Sequence, residues 1–323
     1  MKKYIAILLV GGALFGCQDF LDEKVVTTLT QDYYKSAEGL ESLVKGNYQV
    51  LRFKADYNEG NYLFGTSTDV EVFAWADANR VANGSYAPDA WNYDAEGSTR
   101  MIPQLNTLIG GMTDKWSAGC YPVVNRCNIF MENYEALSSA DQEKIKNRKG
   151  EMLFMRAYAY YILSVHVGAC PIISESVSGM PANFHYPKAS LEEVYNVMIA
   201  DVKDAVDNYL PETTTDLGRI TKPAGAHFLA KLYLNRAQAA QFSGNAEPTL
   251  AALYKGTYST DLDDAIKYAS IAIDQKKGET AYGGLAADFA ELWDNVKTTH
   301  PYPRDRVSEI LLSAQYEDTQ VYN

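Results

Sequence analysis

A mainly α-helical fold of paired helices is predicted by three features of the 323-residue sequence. Apolar residues recur at spacings of three and four along several segments. The clearest of these opens on a helix-capping signature. Small residues cluster where two such helices would cross.

The first helix is expected over Thr30 to Arg52, although Gly39 and Gly46 weaken it. Tyr121 to Leu137 carries Val124, Cys127, Phe130, Met131 and Tyr134 at helical spacing. Gly150 to Val167 carries Met152, Met155, Ala159, Ile162 and Val165, then meets Gly168 and Pro171. Ser190-Leu191-Glu192-Glu193 is an S-x-x-E capping box, in which Ser and Glu satisfy orphan backbone N–H groups. Leu191, Val194, Met198, Val202, Ala205 and Tyr209 follow as one stripe, ended by Pro211. The next helix should run from Pro223, suited to a first turn, to about Gln241. Its Ala224, Gly225, Ala226 and Ala230 allow a neighbouring backbone to come close. Asp263 to Gln275 supplies a short Ala-rich helix. Pairs of this kind suggest a solenoid like the tetratricopeptide repeat, but no regular sequence period is present. SEILLSAQY, near the end, alternates apolar residues and is expected as a strand or a buried extended segment.

The N-terminus reads MKKYIAILLVGGALFGC. Thirteen residues from Tyr4 to Gly16 would rise only about 20 Å as a helix, against the roughly 30 Å of a bilayer core. Two lysines, a short apolar run and small residues at its end indicate a secretory signal over residues 1–16. Leu14-Phe15-Gly16-Cys17 resembles a lipobox, the signal of bacterial lipoproteins, which implies lipidation of Cys17. Two or more acyl chains suffice for stable anchoring. The chain is then tethered to a membrane, not spanning one.

The formal charge is −12, from 29 basic and 41 acidic residues. Loss of Lys2 and Lys3 with the signal would make it more acidic still. Such a chain repels phosphate backbones, which argues against nucleic acid as a partner. With Cys17 committed to lipid, Cys120, Cys127 and Cys170 remain, an odd number without CxxC spacing. Buried free thiols are expected.

Between Gly65 and Gly111 the pattern changes. This stretch has no sustained helical stripe and is far longer than most structureless loops, which points to function or disorder. Disordered segments are poor in aromatics, yet Trp75, Tyr86, Trp91 and Tyr93 all lie here. An ordered aromatic loop on a helical scaffold suits a binding surface. A sugar offers a C–H face for a ring and a hydroxyl rim for directed hydrogen bonds. Trp75 and Trp91 are therefore candidate platforms, with Asp69, Asp77, Asn79, Arg80 and Asn92 as hydrogen-bonding partners and Tyr93 as a further candidate ligand-binding residue. The tryptophans could equally anchor the loop to the helices, since buried aromatics dominate core energetics.

Motifs for catalysis are mostly absent: there is no HExxH, GxSxG, Gly-rich phosphate loop or EF-hand. His166 and His227 fall within helices, where packing is the ordinary role. No catalytic residue, metal ligand or cofactor is assigned.

Several segments in order resemble the SusD/RagB family. These are CQDFLDE after the signal, GEMLFMRAYAYYILSVHVGACPII, and SLEEVYNVMIADVKDAVDNYLP followed by GRITKPAGAHFLAKLYL, then LDDAIKYASIAID and SEILLSAQY. The resemblance implies a SusD-like helical fold with tetratricopeptide-like helix pairs and long ligand-binding loops. It also implies a surface-exposed outer-membrane lipoprotein that binds oligosaccharides or other nutrients. Such proteins sit as a lid over a SusC-like TonB-dependent transporter and are not enzymes. Asp19, Asp22 and Glu23 resemble the family's surface-export signal. Residues 17–242 would form the N-terminal region. Residues 243–323 would begin a C-terminal region that is expected to be truncated, because family members are longer. The alternatives are an all-α surface glycoside hydrolase, with paired carboxylates across a cleft, and a helical-repeat scaffold for protein partners.

Overall fold

The computed structural model describes residues 31–52, 119–166, 168–177, 185–216, 218–243, 258–278, 283–289 and 309–313. The signal-like residues, Cys17 and the segment 65–111 lie outside them.

The helix expected over Thr30 to Arg52 is broken into three parts. Gln31–Lys35 is a 3-10 turn, α1 spans Ala37–Asn47, and Tyr48–Arg52 is a second 3-10 turn. Ser36 causes the first break. It adopts extended backbone and its side chain accepts from Gly39 N, a helix N-cap. The 3-10 turn then folds back over α1. A Cβ on Gly39 would lie 1.9 Å from Tyr33 O, so only glycine allows the approach.

Helix α2 covers 119–136 and buries Cys120, Val124, Cys127, Phe130 and Tyr134. The short α3, Ser139–Lys144, is capped by Ser138 and turns the chain into α4, Lys146–His166. Gly168, with φ of 82°, follows α4 as expected. The Ser190 capping box forms in full and starts α5, Leu191–Asp204. This helix ends in a π turn, Ala205–Tyr209, closed by Leu210 N donating to Ala205 O at 2.8 Å. Helix α6 is Lys222–Ser243 and α7 is Tyr258–Lys276. The latter starts about a turn earlier than its apolar pattern suggests. Asp261 in its first turn is 1% exposed because Arg236 of α6 pairs with it, a contact invisible in local spacing.

Successive helices pack side by side, α4 on α5, α5 on α6 and α6 on α7, while α1 lies against α4. Together with α2 they share one apolar core. Leu210 shows how tightly the pairs close. A Cβ on Gly150 of α4 would lie 3.0 Å from its side chain, and one on Gly225 of α6 would lie 2.7 Å from it. Leu210 is thus wedged between two glycines; the close approach expected at the small residues of α6 is made at Gly225 by the side chains of Leu210 and Val206, not by a neighbouring backbone.

The paired architecture is also written in charge. Arg156 of α4 donates Nε and Nη2 to the two oxygens of Asp201 on α5, both at 2.7 Å, and Nη1 to Asn128 on α2 at 2.9 Å. Arg236 of α6 does the same to Asp261 on α7, at 2.7 and 2.6 Å, and to Asn196 on α5 at 2.8 Å. The repeat that is absent as a sequence period is present as a repeated clamp.

Glu309–Ser313 is irregular, not a strand, with Leu311 and Leu312 packed on the core. Ile266 and Ile273, on one side of α7, are 65% and 61% exposed. Among the described residues no helix is long and apolar enough to cross a membrane.

Candidate ligand-binding site

The residues expected to touch ligand, Asp69, Trp75, Asp77, Asn79, Arg80, Trp91, Asn92 and Tyr93, all lie outside the described residues. What the structure describes is the frame from which that segment departs and to which it returns.

The departure point is pinned by two consecutive side chains. Asn47, the last residue of α1, is fully buried. Its Nδ2 donates to Val123 O of α2 at 3.3 Å and faces Cys127 Sγ at 3.1 Å and Met152 Sδ of α4 at 3.4 Å. Its Oδ1 has no partner among the described residues. Tyr48 OH donates to Glu151 Oε2 at 2.7 Å and accepts from Ile220 N at 3.0 Å. Burial and the Glu151 carboxylate push its phenol well above the ordinary range, so it stays a hydrogen-bond donor.

Around Tyr48 the charges form a closed ring. Arg148 binds Glu41 through Nε at 2.6 Å and Glu151 through Nη1. Arg219 binds Glu151 through Nη1 at 2.9 Å and Glu41 through Nη2. Each carboxylate bridges both guanidiniums, and Arg219 also lies 5.4 Å from the centre of the Tyr48 ring. Glu151 is 1% exposed and accepts hydrogen bonds from Arg148, Arg219 and Tyr48. The ring fastens α1 to α4 and to the loop before α6.

The return point is α2, whose polar face holds a second segment. Tyr121 OH donates to Pro171 O at 3.0 Å. Asn125 donates to Val177 O and accepts from Val177 N, at 3.1 and 2.7 Å. Asn128 donates to Ile173 O and Glu175 O, and Glu132 accepts from Ser176 N and Oγ. Tyr160 OH of α4 accepts from Ile173 N at 2.8 Å. Residues 171–177 are thus strapped along α2 by side chains that mimic a strand partner. Sequence reading saw only the apolar face of α2. The signal for the other face was Tyr121, Asn125, Asn128 and Glu132, again at spacings of three and four.

The expected thiols are observed: Cys120, Cys127 and Cys170 are buried, and none of the three is in a disulfide. Burial pushes the Cys127 thiol up to about 12 and the Cys170 thiol up to about 11. His227 sits on an exposed position of α6. Among the described residues no group of three or more His, Cys, Asp or Glu could hold a metal ion.

Comparison with known proteins agrees with this frame. A family model for SusD-like proteins, described as starch-binding and associating with the outer membrane, matches residues 19–234. SusD-like protein P2 of Formosa agariphila is 22% identical over 319 residues, 94% of this chain and 59% of its own length. A SusD homologue from Bacteroides thetaiotaomicron superposes with a TM-score of 0.54 at 20% identity, over 83% of this chain and 46% of that one. A crystal structure obtained with a xylogluco-oligosaccharide gives a TM-score of 0.51 at 26% identity, over 77% of this chain and 41% of that one. The chain therefore spans less than two thirds of the length of these relatives. The matched residues include α1 to α5 and the first part of α6, with the Arg156 clamp and the charge ring, while Arg236 and Asp261 lie beyond them. The chain belongs to the SusD-like family of starch-binding proteins that associate with the outer membrane.

Proposed function

We propose that the protein is a lipoprotein of the cell surface, anchored through Cys17, that captures an oligosaccharide and passes it unchanged to a SusC-like TonB-dependent transporter. One observation carries the reading: the SusD-like match over residues 19–234 contains the whole aromatic and polar segment 65–111. Trp75, Trp91 and Tyr93 supply flat apolar faces for sugar rings. Asp69, Asp77, Asn79, Arg80 and Asn92 supply directed donors and acceptors for hydroxyl groups. The relative solved with a xylogluco-oligosaccharide supports a glycan as the ligand class. Import itself is the work of the transporter and its energy source.

The test is a glycan array followed by calorimetry on the soluble protein beginning at residue 18. Binding without release of new reducing ends is the expected outcome. Steady production of reducing ends would make the protein a glycoside hydrolase, and a blank array would favour a scaffold for protein partners. Trp75→Ala and Trp91→Ala should each weaken binding with little change in melting temperature. A tryptophan that anchors the loop would instead lower the melting temperature by several degrees, for roughly 3 kcal/mol lost. Cys17→Ser should abolish incorporation of labelled fatty acid, because serine lacks the thiolate that accepts lipid. Equal labelling of the mutant would remove the lipoprotein reading.

A further inference from the structure

Helix α7 carries two apolar stripes and uses one of them. Ala265, Tyr268 and Ala272 are buried, with the Tyr268 ring stacked on Tyr233 of α6 at 5.9 Å. Beside them, Leu262, Ile266, Ala269 and Ile273 recur at spacings of four, three and four. Such a spacing is a seam, the pattern by which one helix meets another. Yet Ile266 and Ile273 are 65% and 61% exposed, and Leu262 and Ala269 are only half-buried. Among the described helices α7 packs chiefly on α6, so the seam faces outward from the array. Scattered exposed apolar residues are ordinary. An unused seam bordered by charge is an interaction surface.

The bordering residues say what fits it. Asp263, Ser270 and Lys277 lie at intervals of seven along one edge, and all three are exposed. Lys277 just follows the helix but keeps its register, since its N–H donates to Ile273 O at 2.8 Å. A two-fold axis at Ser270 sets a second α7 antiparallel to the first. Asp263, before the axis, then faces Lys277 of the second copy, after it, and the pairing occurs twice. Ile266 of each copy likewise lies beside Ile273 of the other. The small Ala269 and Ser270 stand where the two backbones come closest. Lys277 pairs with Asp274 in the single chain, but these side chains are 61% and 62% exposed, so that contact gives way readily. In a parallel pair the charged edge would instead lie beside Ala265 and Ala272 of the second copy, which are uncharged and buried.

We propose that this face of α7 is an interface between two copies of this chain, packed antiparallel about Ser270. The seam runs for about three turns of helix. Contact of that extent falls short of the roughly 1,600 Å² of a standard interface, so the pair is reversible and forms at high protein concentration.

Sedimentation velocity on the soluble protein beginning at residue 18, from about 1 μM to about 1 mM, should show monomer passing to dimer. Ile266→Asp and Ile273→Asp should each weaken the dimer by about tenfold or more, because an unpaired carboxylate enters the seam. Asp263→Lys and Lys277→Asp should each weaken it about threefold, and the double variant should restore it. A short bismaleimide should link two chains of Ser270→Cys. It should not link Lys277→Cys, whose two copies lie about 20 Å apart across the axis. The native Cys120, Cys127 and Cys170 are buried and do not compete. This arm holds even where an aspartate variant fails to fold. Monomer at every concentration overturns the proposal, and a monomer that Ile266→Asp destabilises shows the seam covered within one chain. A dimer indifferent to Ile266→Asp, or a double charge variant that does not recover, overturns it as well.

Discussion

Arg156 and Arg236 make the same three hydrogen bonds in successive helix pairs. Each grips both oxygens of an aspartate on the following helix and the side-chain oxygen of an asparagine on a preceding one. The planar fork of arginine is what makes the contact bidentate, and lysine cannot reproduce it. Arg156→Lys and Arg236→Lys should each cost about 1–3 kcal/mol. Arg156→Met or Arg236→Met should cost about 3–5 kcal/mol, because a buried carboxylate is left without its cation. Urea unfolding of the four variants checks the order. Methionine variants as stable as the lysine ones would show that the aspartates are not held as ions.

Acid should weaken the ring around Glu41. Burial pushes its carboxyl up, but hydrogen bonds from Arg219 and Arg148 outweigh burial and hold it below the ordinary value of 4.5. The folded state therefore favours the ionised form more than the unfolded state does. That contribution is fully present above about pH 4.5 and is lost as pH falls through the lower folded value. Glu41→Gln should be less stable at pH 7 and show a shallower decline between pH 5 and 3. Parallel stability curves for the variant and the native protein would mean that Glu41 gains nothing from its partners.

The strap along α2 makes a residue-level prediction. Val177 N donates to Asn125 Oδ1, and Ser176 N donates to Glu132 Oε1. Asn125→Ala should speed exchange at the Val177 amide, and Glu132→Ala at the Ser176 amide, each leaving the other largely protected. The effect should be about fivefold or more for roughly 1 kcal/mol per bond. Amide exchange by NMR resolves the two sites.

Leu210 should not tolerate larger neighbours. Gly225→Ala gains about 1 kcal/mol of helix propensity but places a Cβ 2.7 Å from Leu210 Cδ1. Overpacking costs roughly 1–3 kcal/mol, so the net effect should be a loss. Gly150→Ala should also destabilise. Because both press on the same side chain, the double variant should depart from additivity by about 0.5 kcal/mol or more. Leu210→Ala should relieve the pair.

The three thiols should be silent in the folded protein. All are buried, and burial raises the pKa of Cys127 and Cys170. In the form that lacks Cys17, a thiol reagent at pH 8 should label essentially nothing before denaturant is added and three sulfurs afterwards. Rapid labelling of one cysteine would place it at a surface.

Much of the helical scaffold was legible from local pattern. The Ser190 capping box, the stripe of α5 and the small residues of α6 are each contained within one or two turns of chain. The break at Ser36 was missed because Thr30 to Arg52 is continuous in apolar spacing, and a cap competes with that spacing only once Gly39 lets the turn fold back. The polar face of α2 was missed for another reason. Asn125 and Asn128 bond to a segment more than forty residues downstream, and nothing in α2 itself says where those amides will point. The same is true of Asn47 and Val123. As for the proposed ligand-binding residues, composition identified an aromatic, polar segment, but a sequence without periodicity carries no record of which groups meet.

The charge ring has a consequence for the order of assembly. Helices α2 to α6 follow one another closely in the chain and can pack as they form. Helix α1 must instead find partners far away: Asn47 meets Val123 at a separation of 76 residues, and Glu41 meets Arg219 at 178. Distant contacts are slow to form because chain closure precedes any reward from them. The N-terminal helix should therefore dock last onto an already folded array, and leave first when stability is reduced. Pulse-labelled refolding would show α4 to α6 protected before α1. Folding is completed at α1, with Glu41 as the final latch.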